Sequence, residues 1–291
     1  MNSLDVLAYY SVKGGVGKTT LAVAAALGLA PDRPVAFLDC DFMGSSIADG
    51  LRLEAPDLRN GDKLDLNAKS APFFTATETR ERRRSSPATL PFLDDLLFGR
   101  KRRFRAQTVA WRHPLAPGVC WYPSSPTITA SSRAARGLLG PTWRQAASRL
   151  HDAIRSVGDT LGPRGIVVVD LPPAFYGTPT IMSELLLGDP SIRFVPVLVS
   201  TPDRDDLYRS VEIFFNFELH FRWILNRNRG SVTEARTAVR EYLGEQWKLS
   251  GVERQLHDVG WSDALSSVFQ EDGLDLPTEL VERVLRLSGL H

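Results

Sequence analysis

The strongest chemical signal in the chain is the run Lys13-Gly14-Gly15-Val16-Gly17-Lys18-Thr19-Thr20. Glycines at Gly14, Gly15 and Gly17 let backbone N–H groups turn inward around phosphate oxygens, where side chains would obstruct the approach. A helix opening at Lys18 adds the positive end of its dipole. Lys18 supplies a point charge to β- and γ-phosphates, and the Thr19 hydroxyl suits Mg²⁺. Val16 and Thr20 complete the stretch surrounding the phosphates. Without ligand, Lys18 is expected as a solvated charge. These residues define a nucleotide site. Acidic strand ends could serve it. One apolar run closes on Asp39-Cys40-Asp41 and another, Ile166-Val-Val-Val, closes on Asp170. A carboxylate at a strand's C-terminal edge beside phosphates can orient the attacking water or the hydrated metal. Asp170 would hold Mg²⁺ through water, its burial compensated by the cation. Asn226 closes a further apolar run with an amide that carries both donor and acceptor.

Placing these groups on one edge requires alternating strands and helices. Short apolar, β-branched runs predict strands at 6–10, 35–38, 119–122, 166–169, 194–199 and 221–225. Amphipathic stretches predict helices at 18–29, 142–157, 204–215 and 233–243. The runs show little alternation, as expected where helices cover both sheet faces. The class is α/β, a doubly wound, mostly parallel sheet with helices on both faces. The polar, basic stretch at about 54–117 breaks this rhythm and is read as an insertion within one domain spanning 1–291. Within it, 90–98 is helix-like and 54–91 shows no clear periodicity.

A general phosphate-binding loop carries a glycine five positions before Gly17, where this chain has Val12, and Lys13 stands just ahead of the glycine pair. That combination resembles the deviant Walker A motif of the ParA/MinD family of P-loop ATPases (SIMIBI class), including its Mrp and nitrogenase iron-protein branches. Further segments match in order: Gly118 to Ser125, Asp170-Leu171-Pro172-Pro173, and Phe194 to Pro202 with its Thr-Pro turn. The resemblance covers roughly 6–53 and 118–226, while 54–117 matches poorly. It implies that Lys13 reaches across a dimer interface to the partner's nucleotide. Asp41 would position the attacking water, Asp39 support the metal shell, and Asn226 meet the adenine edge. ATP and Mg²⁺ are the implied cofactors. A homodimer formed with ATP, an activating partner protein and a partitioned or positioned cargo are also implied. Phe42-Met43-Gly44-Ser45-Ser46 replaces the Pro-Gln-Gly of the partition branch and lies closer to the Mrp and MinD side, so the branch stays open.

Composition bounds the alternatives. The 291 residues carry 35 basic and 34 acidic side chains, a net charge of +1, which excludes attachment to nucleic acid by bulk charge alone. From Arg80 to Arg105, however, nine Lys or Arg face three Asp or Glu, a local charge of +6. That segment is read either as a solvated basic loop or as a surface for DNA, an acidic protein or anionic lipid. A metal-cluster carrier or reductase of the Mrp type shares the fold, but ligates its cluster through paired cysteines. This chain has Cys40 and Cys120, no C-x-x-C, and both are expected as small core residues. A small-molecule ATP-dependent ligase is a further alternative. The start, Met1 to Tyr10, lacks the pattern of a signal peptide, and no run approaches the ~18 apolar residues of a membrane span. The expected location is cytoplasmic. At 276–290 an apolar helical face meets a mixed one carrying Glu279, Glu282, Arg283 and Arg286, which favours packing on the sheet over membrane contact.

Overall fold

A computed structural model of the chain describes residues 3–42, 47–60, 63–65, 72–98, 106–126, 143–173, 178–216, 221–227, 229–247, 251–270, 274 and 276–289. In chain order the strands are β1 (Leu4–Tyr10), β2 (Val35–Asp39), β3 (Arg59–Asn60), β4 (Lys63–Leu64), β5 (Val119–Tyr122), β6 (Ile166–Asp170), β7 (Ile192–Ser200), β8 (Arg222–Asn226) and β9 (Leu256–Gly260). Seven of them form one sheet in the order β5-β2-β6-β1-β7-β8-β9, every neighbouring pair parallel. β3 and β4 pair separately and antiparallel.

Both faces are covered, which explains the apolar runs without alternation. Val6, Ala8 and Tyr10 of β1 face the helices Trp143–Leu161, Thr178–Gly188, Arg204–Asn216 and Val232–Leu243. Leu7 and Tyr9 face Lys18–Leu29 and the last helix, Thr278–Leu287. Gly28 permits those last two helices to approach, since a Cβ there would lie 2.1 Å from Val281 Cγ1. Leu280 and Val284 of the last helix are buried, and the Tyr9 hydroxyl meets Ser288 Oγ at 2.9 Å. The apolar tail face is therefore packed on the fold. Among the described residues, no helix is long and apolar enough to cross a membrane.

The strand order reverses around β1, with β6 on one side and β7 on the other. Such a switch point opens a crevice at the strands' C-terminal ends. The register sets Asp170 opposite both Tyr9 and Asp39, so two acidic strand ends lie level with the exit of β1.

The stretch 54–91, expected without periodicity, contains the helix Ala76–Ser85. Thr75 opens it with a capping box: its hydroxyl accepts from Glu78 N at 3.2 Å, and Glu78 Oε2 accepts from Thr75 N at 2.8 Å. That Thr-x-x-Glu signal stands in the sequence. Short helices follow at Leu93–Phe98 and Ala106–Val109. Trp111 exchanges backbone bonds of 2.7 and 3.0 Å with Trp121 of β5, and Trp111 Nε1 donates to Pro91 O at 3.1 Å. The segment thus closes the free edge of β5, a place where exposed strands invite unwanted pairing. It also feeds both cores, with Phe92 and Trp111 on one face and Leu93 and Leu97 on the other. Strand β9 was not expected either; as an edge strand it buries only Leu256 and Val259. The second half of the basic run, at 99–105, and Met43 to Ser46 lie outside the described residues.

Candidate functional site

The loop leaving β1 turns through Gly15 and Gly17, at φ values of 79° and 85° that side chains rarely adopt. Gly17 is the N-cap of Lys18–Leu29 and has no side chain to occupy the first-turn N–H groups. Those donors remain available to an anion. Gly17 is also fixed from outside. A Cβ there would lie 2.1 Å from Asn226 Nδ2, which donates to Val16 O at 2.9 Å. Asn226, buried at the end of β8, therefore fastens that strand to the phosphate loop.

Lys18 departs from expectation. It is not a solvated charge: its side chain is 5% exposed and ion-pairs with Asp170 Oδ1. Thr19 Oγ1 donates to the other oxygen of Asp170 at 2.6 Å. Apolar β6 carries Asp170 into a fully buried position, where a lone carboxylate would be unfavourable without such partners. Asp39, also fully buried, is the centre of a second set of bonds. Its Oδ1 accepts from Asp41 N at 3.2 Å, and its Oδ2 accepts from Ser124 N at 3.2 Å and Ser124 Oγ at 3.0 Å. Asp41 follows on the same turn, half-buried. The structure thus brings Lys18, Thr19 and Asp170 into contact and sets Asp39 and Asp41 on the neighbouring strand end.

Lys13 stands apart from them. It is about half exposed, and its Nζ lies 3.7 Å from Asp203 Oδ1 in the turn after β7. An exposed pair of this kind contributes about 0–1 kcal/mol, so Lys13 can exchange partners readily. In the first turn of the helix Arg204–Asn216, Asp206 accepts from Thr201 N at 2.7 Å and Thr201 Oγ1 at 2.9 Å, while burial raises its pKa above the ordinary value. Cys40 is buried, its thiol pushed well up by burial and by the adjacent Asp39 and Asp170. Cys120 is partly buried and its thiol is also pushed up by burial.

Sequence reasoning overlooked four contacts around this edge. Ser124, one of many serines in the chain, gains its role only because β5 lies beside β2. Arg83 ion-pairs with Asp49, just beyond the Asp39–Asp41 turn. Arg82 stacks on Phe74 at 4.6 Å from the ring centroid. Two of the arginines read as a polyanion surface are thus committed within the fold, while Arg80 and Arg84 are exposed. The fourth contact joins Asp94 to Ser125. Its one visible sign is the acid pair Asp94-Asp95 within the apolar run Leu90 to Phe98.

A family model described as ParA, NUBPL iron-transfer P-loop NTPase, matches residues 3–79. Curated protein sequences give no match. Solved structures match over nearly the whole chain. The ATP complex of McdA from Cyanothece gives a TM-score of 0.61 at 16% identity, covering 100% of this chain and 98% of that one. MinD of Aquifex aeolicus gives 0.57 at 15% identity, covering 99% and 98%. A ParA family ATPase from Chlorobium tepidum TLS gives 0.55 at 18% identity, covering 98% and 99%. The fold and the site define a P-loop protein with a doubly wound, parallel sheet. Within that class the resemblance is to the ParA/MinD family: the amino-terminal quarter matches in sequence and the whole chain in fold. Partition, McdA and MinD proteins match alike, so no branch is singled out.

Proposed function

We propose that the protein is an ATP-dependent dimerising switch, which hydrolyses ATP to position, partition or regulate a cargo of DNA or a protein complex. One observation carries this reading: Lys18, Thr19 and Asp170 converge directly beneath a left-handed glycine loop at the switch point of the sheet. The loop offers backbone donors, and a Cβ at Gly15 would meet nothing within 4 Å, so its outer side is open to phosphates. As nucleotide enters, Lys18 exchanges Asp170 for the β- and γ-phosphates. Thr19 and, through water, Asp170 would hold Mg²⁺, which needs few protein ligands beside phosphate and water and would offset charge developing on the phosphoryl oxygens. Asp41 orients the water, Asp39 fixes the backbone on which Asp41 sits, and Asn226 keeps its remaining amide groups for the base. Lys13, held only by an exposed ion pair, is placed to leave Asp203 for a second protomer. Ordering of these segments around the γ-phosphate joins two copies, and hydrolysis releases them. An activating partner protein and a cytoplasmic setting belong to the same reading.

The iron-transfer description of the family model favours a second reading, a cluster carrier. Thiolates are the ligands such chemistry needs, and burial drives both Cys40 and Cys120 towards the protonated thiol. The switch reading is therefore preferred. An ATP-dependent ligase would show turnover that rises with a metabolite rather than with DNA or protein. The deciding experiment is calorimetry with ATP and Mg²⁺ followed by light scattering. ATP binding that never yields a dimer, even in a hydrolysis-slowed variant, rejects the switch. For DNA as cargo, each phosphate contact adds about −0.9 to the log–log salt slope. Arg80→Ala with Arg84→Ala should flatten that slope by about 2, whereas Arg82 and Arg83 are half-buried, engaged with Phe74 and Asp49, and unsuited to the test.

A further inference from the structure

The residues Pro123, Ser124 and Ser125, which leave β5, form a strap held on two sides. Towards the phosphate site, Ser124 N and Oγ both donate to Asp39 Oδ2, and Ser124 Oγ lies 3.4 Å from Asp41 O. Towards the 54–117 segment, Leu93 N donates to Pro123 O at 2.9 Å and Ser125 N donates to Asp94 Oδ1 at 2.7 Å. Asp94 is only 2% exposed, and its Oδ2 is buried with no hydrogen-bond partner among the described residues. A buried carboxylate oxygen left without a partner is costly, and apolar packing against Leu93, Leu96 and Leu97 alone would be served better by another leucine. The carboxylate does something leucine cannot: it accepts from the N–H next to the residue that holds Asp39.

We propose that Asp94 is a positioning residue for ATP hydrolysis, setting through the Pro123–Ser125 strap where Ser124 holds Asp39 and hence where Asp41 stands. The 54–117 segment is then part of the hydrolytic machinery without touching nucleotide. The proposal rests on the ATPase reading above. Among the described residues, Lys18, Thr19 and the glycine loop show no bond to the strap, so nucleotide affinity should be insensitive to Asp94. Hydrolysis should be sensitive, because small displacements of a water-orienting group are costly.

The test uses the full chain with Asp94→Ala and Asp94→Asn. Asparagine keeps an oxygen acceptor for Ser125 N–H, whereas alanine removes it. Affinity is read with a fluorescent ATP analogue, hydrolysis by single turnover, and the order of the strap and of the Asp39–Asp41 turn by amide hydrogen exchange over 119–126 and 39–41. In Asp94→Ala we expect affinity within about twofold of wild type, hydrolysis about tenfold slower and faster exchange at Ser125 and Asp41. Asp94→Asn should restore hydrolysis to within about twofold. Undiminished hydrolysis in Asp94→Ala overturns the proposal and leaves the ATPase reading intact. A fall of affinity and rate together, without rescue by asparagine, overturns it too by showing a merely structural role. A wild-type chain that binds ATP without hydrolysing it removes the ATPase reading and this proposal with it.

Discussion

The two ends of the β5-β2-β6-β1 half of the sheet bury polar groups in different ways. At the exit of β1, each buried charge has a partner that another ligand could replace: Lys18 lies on Asp170, and Thr19 on the same carboxylate. At the β5 edge, the 54–117 segment is fixed by aromatic packing and long-range backbone bonds. The Phe92 and Trp111 rings lie 4.9 Å apart, and Trp111 is tied to both Pro91 and Trp121. There the odd group is Asp94, whose second oxygen has no partner among the described residues. The first region is built for exchange and the second for permanence. Asp39, bonded to Asp41 on one side and to Ser124 on the other, is where they meet.

The largest expected effect separates them most sharply. Lys18→Ala should abolish measurable ATP binding, a loss of at least about 100-fold, because the phosphate charge loses its counterpart. It should also destabilise the fold by about 3 kcal/mol, since Asp170 is left as an unpaired buried carboxylate. Calorimetry and denaturant titration check the two parts. Lys18→Ala with native stability would mean that Asp170 finds another partner, and that the ion pair does not organise the edge.

That variant also shows what the sequence made legible. The glycine loop, its lysine and the acidic strand ends are short local patterns, and the strands and helices carrying them appear within a few residues of their expected bounds. The burial of Lys18 was not legible, because it depends on β6 lying beside β1, a contact between residues 152 positions apart. The 54–117 segment was illegible for the same reason. Glu54 pairs with Arg112 and Trp111 with Trp121, and no local periodicity announces such bridges. The capping box at Thr75 and Glu78 was the exception, a local signal passed over amid polar residues.

A smaller effect is expected one strand further over. Asp41→Ala should bind ATP normally and hydrolyse it about 100-fold more slowly, accumulating a dimer by light scattering. Asp39→Ala should behave differently, losing stability as well as rate, because three donors to its carboxylate are left unsatisfied. Lys13→Ala should weaken the dimer without unfolding the chain, given its exposed ion pair. Identical behaviour of the Asp39 and Asp41 variants would erase the distinction between framework and chemistry at this turn.

Asp94 offers a pH-dependent test of the permanent region. Burial raises its pKa from 3.8 to about 7. Between those values the folded state keeps a proton that the unfolded chain has released, so stability falls as pH rises through this window and levels off above pH 7. Asp94→Asn removes the titrating group. Its stability gain should be near zero at pH 4 and on the order of 2 to 4 kcal/mol at pH 8, at about 1.4 kcal/mol per pKa unit. A gain equal at both pH values would show that the burial of Asp94 charges no proton to the fold.

The smallest effect probes whether the 54–117 segment can be loosened without reaching the nucleotide. Thr75→Ala removes the hydroxyl that caps Ala76–Ser85, and with it the acceptor for Glu78 N. Loss of such a cap costs about 1 kcal/mol. For a chain of this size that lowers Tm by about 2–4 °C. The capped helix carries Arg83 to Asp49 and Arg82 to Phe74, so its fraying should first be felt at those contacts. Asp94 and the strap lie beyond the following turn and keep their own bonds to Leu93 and Ser125. Thr75→Ala should therefore lower thermal stability while leaving both ATP affinity and hydrolysis at wild-type values. Differential scanning calorimetry beside the single-turnover assay reads both. A slowed hydrolysis in Thr75→Ala would extend the coupling from Asp94 back to the basic helix, and a weakened ATP affinity would carry it past Asp39 to the phosphate loop.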